Sequence, residues 1–207
     1  ANSGPREAAW LAQESAAQSM SAIAEEAGVH IRSLQKEDPE SVLEQASERL
    51  AFLDERHGRA VASALRFSQD ASVTAKVERL KGDLRATADA ALQRVRAAAE
   101  ETKGGPVKVA TPELSDLQVR ASKMVPKRSV VGPLTLETLP LRAKGPFRWE
   151  PSWSAPHNDY LIWADGKRSL LEIFRCRHLE SGRKDANLQE IVDYFEFLAE
   201  HGYVEMV

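Results

Sequence analysis

The sequence predicts a mainly α protein, a long helical hairpin or bundle followed by a small winged-helix-like α+β module. Three observations predict it. Residues 1–103 hold 23 Ala, two Pro (Pro5, Pro39) and a single Trp or Tyr (Trp10), whereas residues 104–207 hold the other eight Pro, three Trp and all three Tyr. Apolar residues in the first half recur at alternating spacings of three and four, the signature of a narrow helical seam. The last 51 residues are punctuated as helix, turn, helix, turn, helix, strand, the order of a winged-helix module.

Residues 1–103 read as the long-helix region. An Ala-rich helix covers 6–27 with Gly28 as its stop. Asp38-Pro39 starts the next, because Asp can cap and Pro suits the first helical position. From there Leu43, Ala46, Leu50, Leu53, His57, Ala60, Ala64, Phe67 and Ala71 form one seam. After a break near Ser68–Ser72, Val73, Val77, Leu80, Leu84, Ala88, Ala91, Val95 and Ala98 form a second. Seams this thin need a third helix or a second subunit to cover them, so this region is the expected homodimer surface. His57 reads as a core or interface histidine, because no second metal ligand stands at i+3 or i+4. Gly104-Gly105-Pro106 is the joint.

Residues 104–156 read as a Pro/Trp-rich ordered connector with one short helix, opened by Thr111-Pro112-Glu113 and ending near Lys123. An extended segment follows from Met124 to Leu134. Phe147, Trp149 and Trp153 are expected to pin the stretch 140–156, since such aromatics are costly to leave in water.

Residues 157–207 read as the module. A short helix carries Tyr160, Leu161 and Trp163, and Asp165-Gly166 is a turn. Ser169 and Glu172 make a capping box for a helix offering Leu170, Ile173, Phe174 and Cys176 to a core, with Ser181-Gly182 as its end. A third helix starts at Asp185 and buries Leu188, Ile191, Val192, Phe195 and Leu198. Gly202 stops it, and Tyr203–Val207 alternates as a strand.

Charge decides what such a module would bind. Residues 185–207 carry six Asp or Glu and no Lys or Arg, which speaks against duplex DNA. Residues 106–184 are basic, with 14 Lys plus Arg against eight Asp plus Glu, a surface that balances the acidic helix. No nucleophile–base motif, phosphate-binding Gly loop or metal-ligand spacing is present, so catalytic, cofactor-binding and metal residues are all read as none. His157 reads as part of a capping cluster, and His178 and His201 as cations at helix C-termini. One cysteine, no apolar span and no signal peptide point to a cytoplasmic protein without membrane contact. The start Ala1-Asn2-Ser3-Gly4-Pro5, without Met, reads as a piece of something longer.

The stretches Met124–Arg128 with Gly132-Pro133-Leu134, Trp163–Ile173 and Phe197–Val204 resemble the C-terminal region of bacterial zinc aminopeptidase-like peptidases, as does the Ala-rich opening. The resemblance implies an accessory role. In that family the zinc ligands and catalytic Glu lie in an upstream domain that this chain does not contain, so no metal or catalytic residue is carried over. The implied partner is a protein or peptide, including the family's own catalytic domain. Candidate partner-binding residues are Asp165, Gly166, Lys167 and Arg168 on the turn, with Tyr203 and Glu205 on the strand, whose edge could accept a peptide strand. The alternative is a winged-helix DNA-binding or adaptor protein with no peptidase parent.

Overall fold

Small side chains at successive turns give α1 (Gly4–Ser33) a face that other helices can approach closely. Ala8, Ala12, Ala16, Ser19, Ile23 and Ala27 are buried along it. Ser19 is the polar member, and its hydroxyl donates to the Ser15 carbonyl at 2.7 Å. The computed structural model describes residues 4–108, 113–130, 158–181 and 187–207, divided between one unit spanning Ala1–Thr111 and another spanning Pro112–Val207. The protein is mainly α-helical.

In the first unit α2 (Pro39–Ala62) starts where the sequence places it. Asp38 Oδ2 accepts from the Glu40 and Ser41 amides at 3.1 and 3.0 Å. A 3-10 turn, Ser63–Arg66, leads towards α3 (Ala71–Lys103), where Asp70 Oδ1 accepts from the Ser72 amide at 2.8 Å. Gly104, at φ 73°, closes α3 in the left-handed conformation that glycine adopts without strain. All three helices pack on one another, so α1 is the third helix that the two seams need. Ion pairs tie them at their rims, Arg49 to Glu26 at 3.2 Å and Lys103 to Glu40.

Three expectations are corrected here. Gly28 does not end α1, which runs to Ser33. Ala27 and Leu34 are buried on either side of it, and that packing outweighs the cost of about 1 kcal/mol for glycine inside a helix. The α2 seam holds through Leu53 and then passes to Val61 and Ala64, while Ala60, Phe67 and Ala71 face water, Phe67 at 67% exposure. A strict 3-4 repeat drifts around a straight helix, and the 3-10 turn shifts the phase again. On α3 the seam matches until its last member, where Ala99 is buried and Ala98 is not.

The second unit comprises α4 (Asp116–Lys123), β1 (Pro126–Arg128), α5 (Asn158–Leu161), α6 (Leu170–Ser181), α7 (Leu188–Glu200) and β2 (Val204–Met206). Its core gathers Leu161, Leu170, Ile173, Ile191, Phe195 and Leu198, with Ala121 from α4 and Val204 from β2. Glu113 is not helical: α4 starts at Asp116, with Ser115 as its cap in a capping box with Gln118. The Ser169–Glu172 box is present: the Ser169 amide donates to Glu172 Oε2 at 2.7 Å, and the Glu172 amide to Ser169 Oγ at 3.3 Å. Asn187 caps α7, its Oδ1 accepting from the Gln189 amide at 2.9 Å. α7 buries Tyr194 and Phe197 beyond the expected face, while Leu188 is only half-buried. Gly202, at φ 76°, follows the helix end.

β1 and β2 pair antiparallel, Lys127 opposite Glu205 and Arg128 opposite Val204. The partner of the C-terminal strand therefore comes from the segment read as connector. Thr111-Pro112, Gly132-Pro133-Leu134, Phe147, Trp149, Trp153, His157, Gly182 and Asp185 lie outside the described residues.

Candidate contact surface

β1 is held on both sides. Towards β2, the Ser129 amide donates to Tyr203 O at 3.0 Å, and the Val207 amide to Val125 O at 3.0 Å. Towards the turn, the Arg128 amide donates to Ala164 O and the Gly166 amide to Pro126 O, each at 3.0 Å, making an antiparallel bridge between Lys127 and Asp165. The two groups of candidate residues, distant in sequence, thus flank one strand. Residues directly opposite across a sheet project to the same face. Asp165, Lys127 and Glu205 accordingly form an exposed row of alternating charge, with Lys127 Nζ 3.7 Å from Glu205 Oε2.

The turn is built by Asp165. Its Oδ1 accepts from the Lys167 amide at 3.0 Å and the Arg168 amide at 3.1 Å, and its Oδ2 pairs with the Arg168 guanidinium. Desolvation opposes ionisation of this carboxyl. The amide bonds from Arg168 and Lys167, with the Arg168 charge, outweigh it and hold the pKa below the usual carboxylate value. Gly166, at φ 74°, passes so close to β1 that a Cβ there would lie 3.1 Å from Lys127 Cβ.

The six candidates play unequal parts. Lys167 and Glu205 are exposed side chains. Arg168 is not: its side chain is 17% exposed, bound to Asp165, with its guanidinium carbon 5.3 Å from the Trp163 ring centroid. Gly166 is a backbone element. Tyr203 is half-buried, and its main chain is occupied on both sides, the amide by Leu198 O at 2.9 Å and the carbonyl by the Ser129 amide. The strand edge is also less open than expected. β1 occupies one side of β2, the Val207 amide is bonded to Val125 O, and Val204 retains only 3% exposure, which leaves Met206 as the open position of the edge.

Two features had escaped the sequence reading. Lys127 is the centre of the charged row, yet its pairing is visible only once β1 is placed. Arg128, on the opposite face, buries Nε and Nη2, which make no hydrogen bond among the described residues. It lies near Tyr194, whose phenol burial pushes up in pKa while the Arg128 charge partly offsets the shift.

Among the described residues no cluster of three His, Cys, Asp or Glu side chains is arranged to hold a metal ion. His57 Nε2 is buried without a hydrogen-bond partner among the described residues, and desolvation, reinforced by Arg56 and Arg49, lowers its pKa. His201 Nδ1 donates to Phe197 O at 2.9 Å at the end of α7. No described helix is long and apolar enough to cross a membrane. Comparison of the chain with protein-family models, curated proteins and solved structures finds no match.

Proposed function

We propose that this chain is a non-catalytic accessory region of a metallo-aminopeptidase-type protein, in which the helical bundle packs or dimerises and the second unit contacts protein or peptide. The observation that carries the contact reading is the exposed row Asp165–Lys127–Glu205 with Lys167 beside it. A row that alternates in sign on a fixed backbone offers a partner a defined set of charges, which favours specificity over bulk affinity. The element order α4, β1, α5, α6, α7, β2, with the strands antiparallel, supports a winged-helix-like reading of the unit.

That same order supports the rival, a winged-helix DNA-binding or adaptor protein without a peptidase parent. Charge favours the first reading. α7, the helix that would enter a groove, carries Glu190, Asp193, Glu196 and Glu200 and neither Lys nor Arg, so phosphate repels it.

The test uses the intact chain and the product of its whole reading frame. Peptidase activity and tightly held zinc should reside in residues preceding Ala1, with this chain alone binding no stoichiometric zinc. Lys127→Glu and Lys167→Glu should weaken association with that upstream domain and leave the helical content unchanged. Zinc retained by the isolated chain, or an upstream sequence with no metallopeptidase domain, overturns the accessory reading. Tight binding to random duplex that falls steeply with salt would put the DNA reading first.

A further inference from the structure

Along α3, Lys76, Asp83, Thr87, Ala90, Arg94 and Glu101 recur at spacings of seven, four, three, four and seven, which places them on one side of the helix. Asp83, Ala90, Arg94 and Glu101 are exposed. Beside Ala90 lies a groove of about 350 Å³ between α1 and α3, lined by Ala24, Ala86 and Ala90 among others. Among the described residues Asp83, Arg94 and Glu101 make no ion pair, and Lys76 Nζ bonds only the neutral amide of Gln13, at 2.7 Å.

The charges have a self-complementary order. Turned end for end about a point between Ala88 and Asp89, the stripe sets Asp83 against Arg94, Thr87 against Ala90, and Lys76 against Glu101. We propose that α3 pairs antiparallel with the α3 of a second copy of this chain about a two-fold axis at that point. The proposal rests on the reading of the bundle as a dimer surface, and it specifies which helix and which register. In a two-fold interface each contact occurs twice, so the stripe supplies four ion pairs over roughly 37 Å of helix. The small residues at the centre let the helix axes approach to about 8 Å. A parallel arrangement would set Asp83 against Asp83 and Arg94 against Arg94, which like-charge repulsion disfavours.

Sedimentation velocity of the full chain, at low salt and over a range of concentrations, tests this. Asp83→Arg and Arg94→Asp, each made alone, should raise the dimer Kd at least about tenfold, since each loses two attractions and gains two repulsions. The double variant D83R/R94D exchanges the charges in both copies and should return to within about threefold of the parent. Circular dichroism should be unchanged in all three, because both side chains are exposed. A double variant as weak as the singles overturns the register. A dimer that none of the substitutions affects also overturns it, while leaving the bundle as a dimer surface through another face. A chain that stays monomeric up to about 0.5 mM removes both.

Discussion

Replacing Gly166 by alanine should loosen the attachment of β1 to the turn, by an amount that follows from two separate costs. The backbone stands at φ 74°, where an L side chain costs about 1–2 kcal/mol. The new methyl would also meet Lys127 Cβ and Cγ at 3.1 Å and Cδ at 3.2 Å. Cβ is fixed to the strand and cannot swing away, so relief requires moving β1, at a cost of about 1 kcal/mol. Together these give about 2–3 kcal/mol. Gly202→Ala isolates the first cost, since φ is 76° but nothing lies within 4 Å of the added Cβ. Native-state hydrogen exchange is the suitable assay, because the Arg128 and Val207 amides donate to Ala164 O and Val125 O and report on the two sides of β1. Protection at Arg128 should fall further in Gly166→Ala than in Gly202→Ala, by a factor of about five for each added kcal/mol. If the two substitutions cost the same, the close approach to Lys127 carries no energy and the reasoning fails.

The opposite sign is expected at Gly82, on an exposed face of α3 with no heavy atom within 4 Å of an added Cβ. Gly82→Ala should stabilise the bundle by about 0.5–1 kcal/mol in urea titrations. Leu84→Ala, at a fully buried position, should destabilise it by about 2–5 kcal/mol in the same titrations. The pH dependence follows from His30 and His57, both lowered in pKa chiefly by desolvation. A folded-state pKa below the unfolded value near 6.5 gives stability that is full above that pH and is lost as pH falls through the folded value. Urea midpoints of the bundle should therefore decline below about pH 6.5, and H30Q/H57Q should flatten that decline. A fragment spanning 157–207 should fail to give cooperative unfolding, whereas 113–207 should fold, because only the longer one contains β1 and Ala121.

The helical architecture was legible wherever a local device sets it. Asp38-Pro39, the Ser169–Glu172 box and Gly202 each work within four residues of chain, and each stands where the sequence puts it. Signals that compete with packing were weaker. Gly28 looks like a stop in isolation, but Ala27 and Leu34 draw α1 past it. Phe67 looks like a seam residue by spacing, but the 3-10 turn rotates it into water. The extent of α1 had the same cause: small residues do not announce which face they bury, and only contact with α2 and α3 selects Ala8, Ala12 and Ala16 over Ala9 and Ala17.

The site was less legible than the helices because its geometry is non-local. Asp165-Gly166 could be read as a turn and Tyr203–Val207 as a strand, but nothing in either stretch says that both rest on Pro126–Arg128. A three-residue strand has too few residues for alternation to show, and Pro126 hides it further, since proline is usually excluded from paired strands except at edges and strand starts. Pro126 begins β1, so its missing N–H costs no ladder bond, while its carbonyl accepts from the Gly166 amide. That placement reverses the roles of two neighbours. Lys127, unremarkable in sequence, becomes the centre of the charged row, and Arg168, which looked like an available cation on a turn, is consumed in holding Asp165 and covering Trp163. Substitutions meant to probe contact therefore belong at Lys127, Lys167 and Glu205. Arg168→Glu would put two carboxylates together within the turn, and a loss of binding there would report the loss of the turn itself.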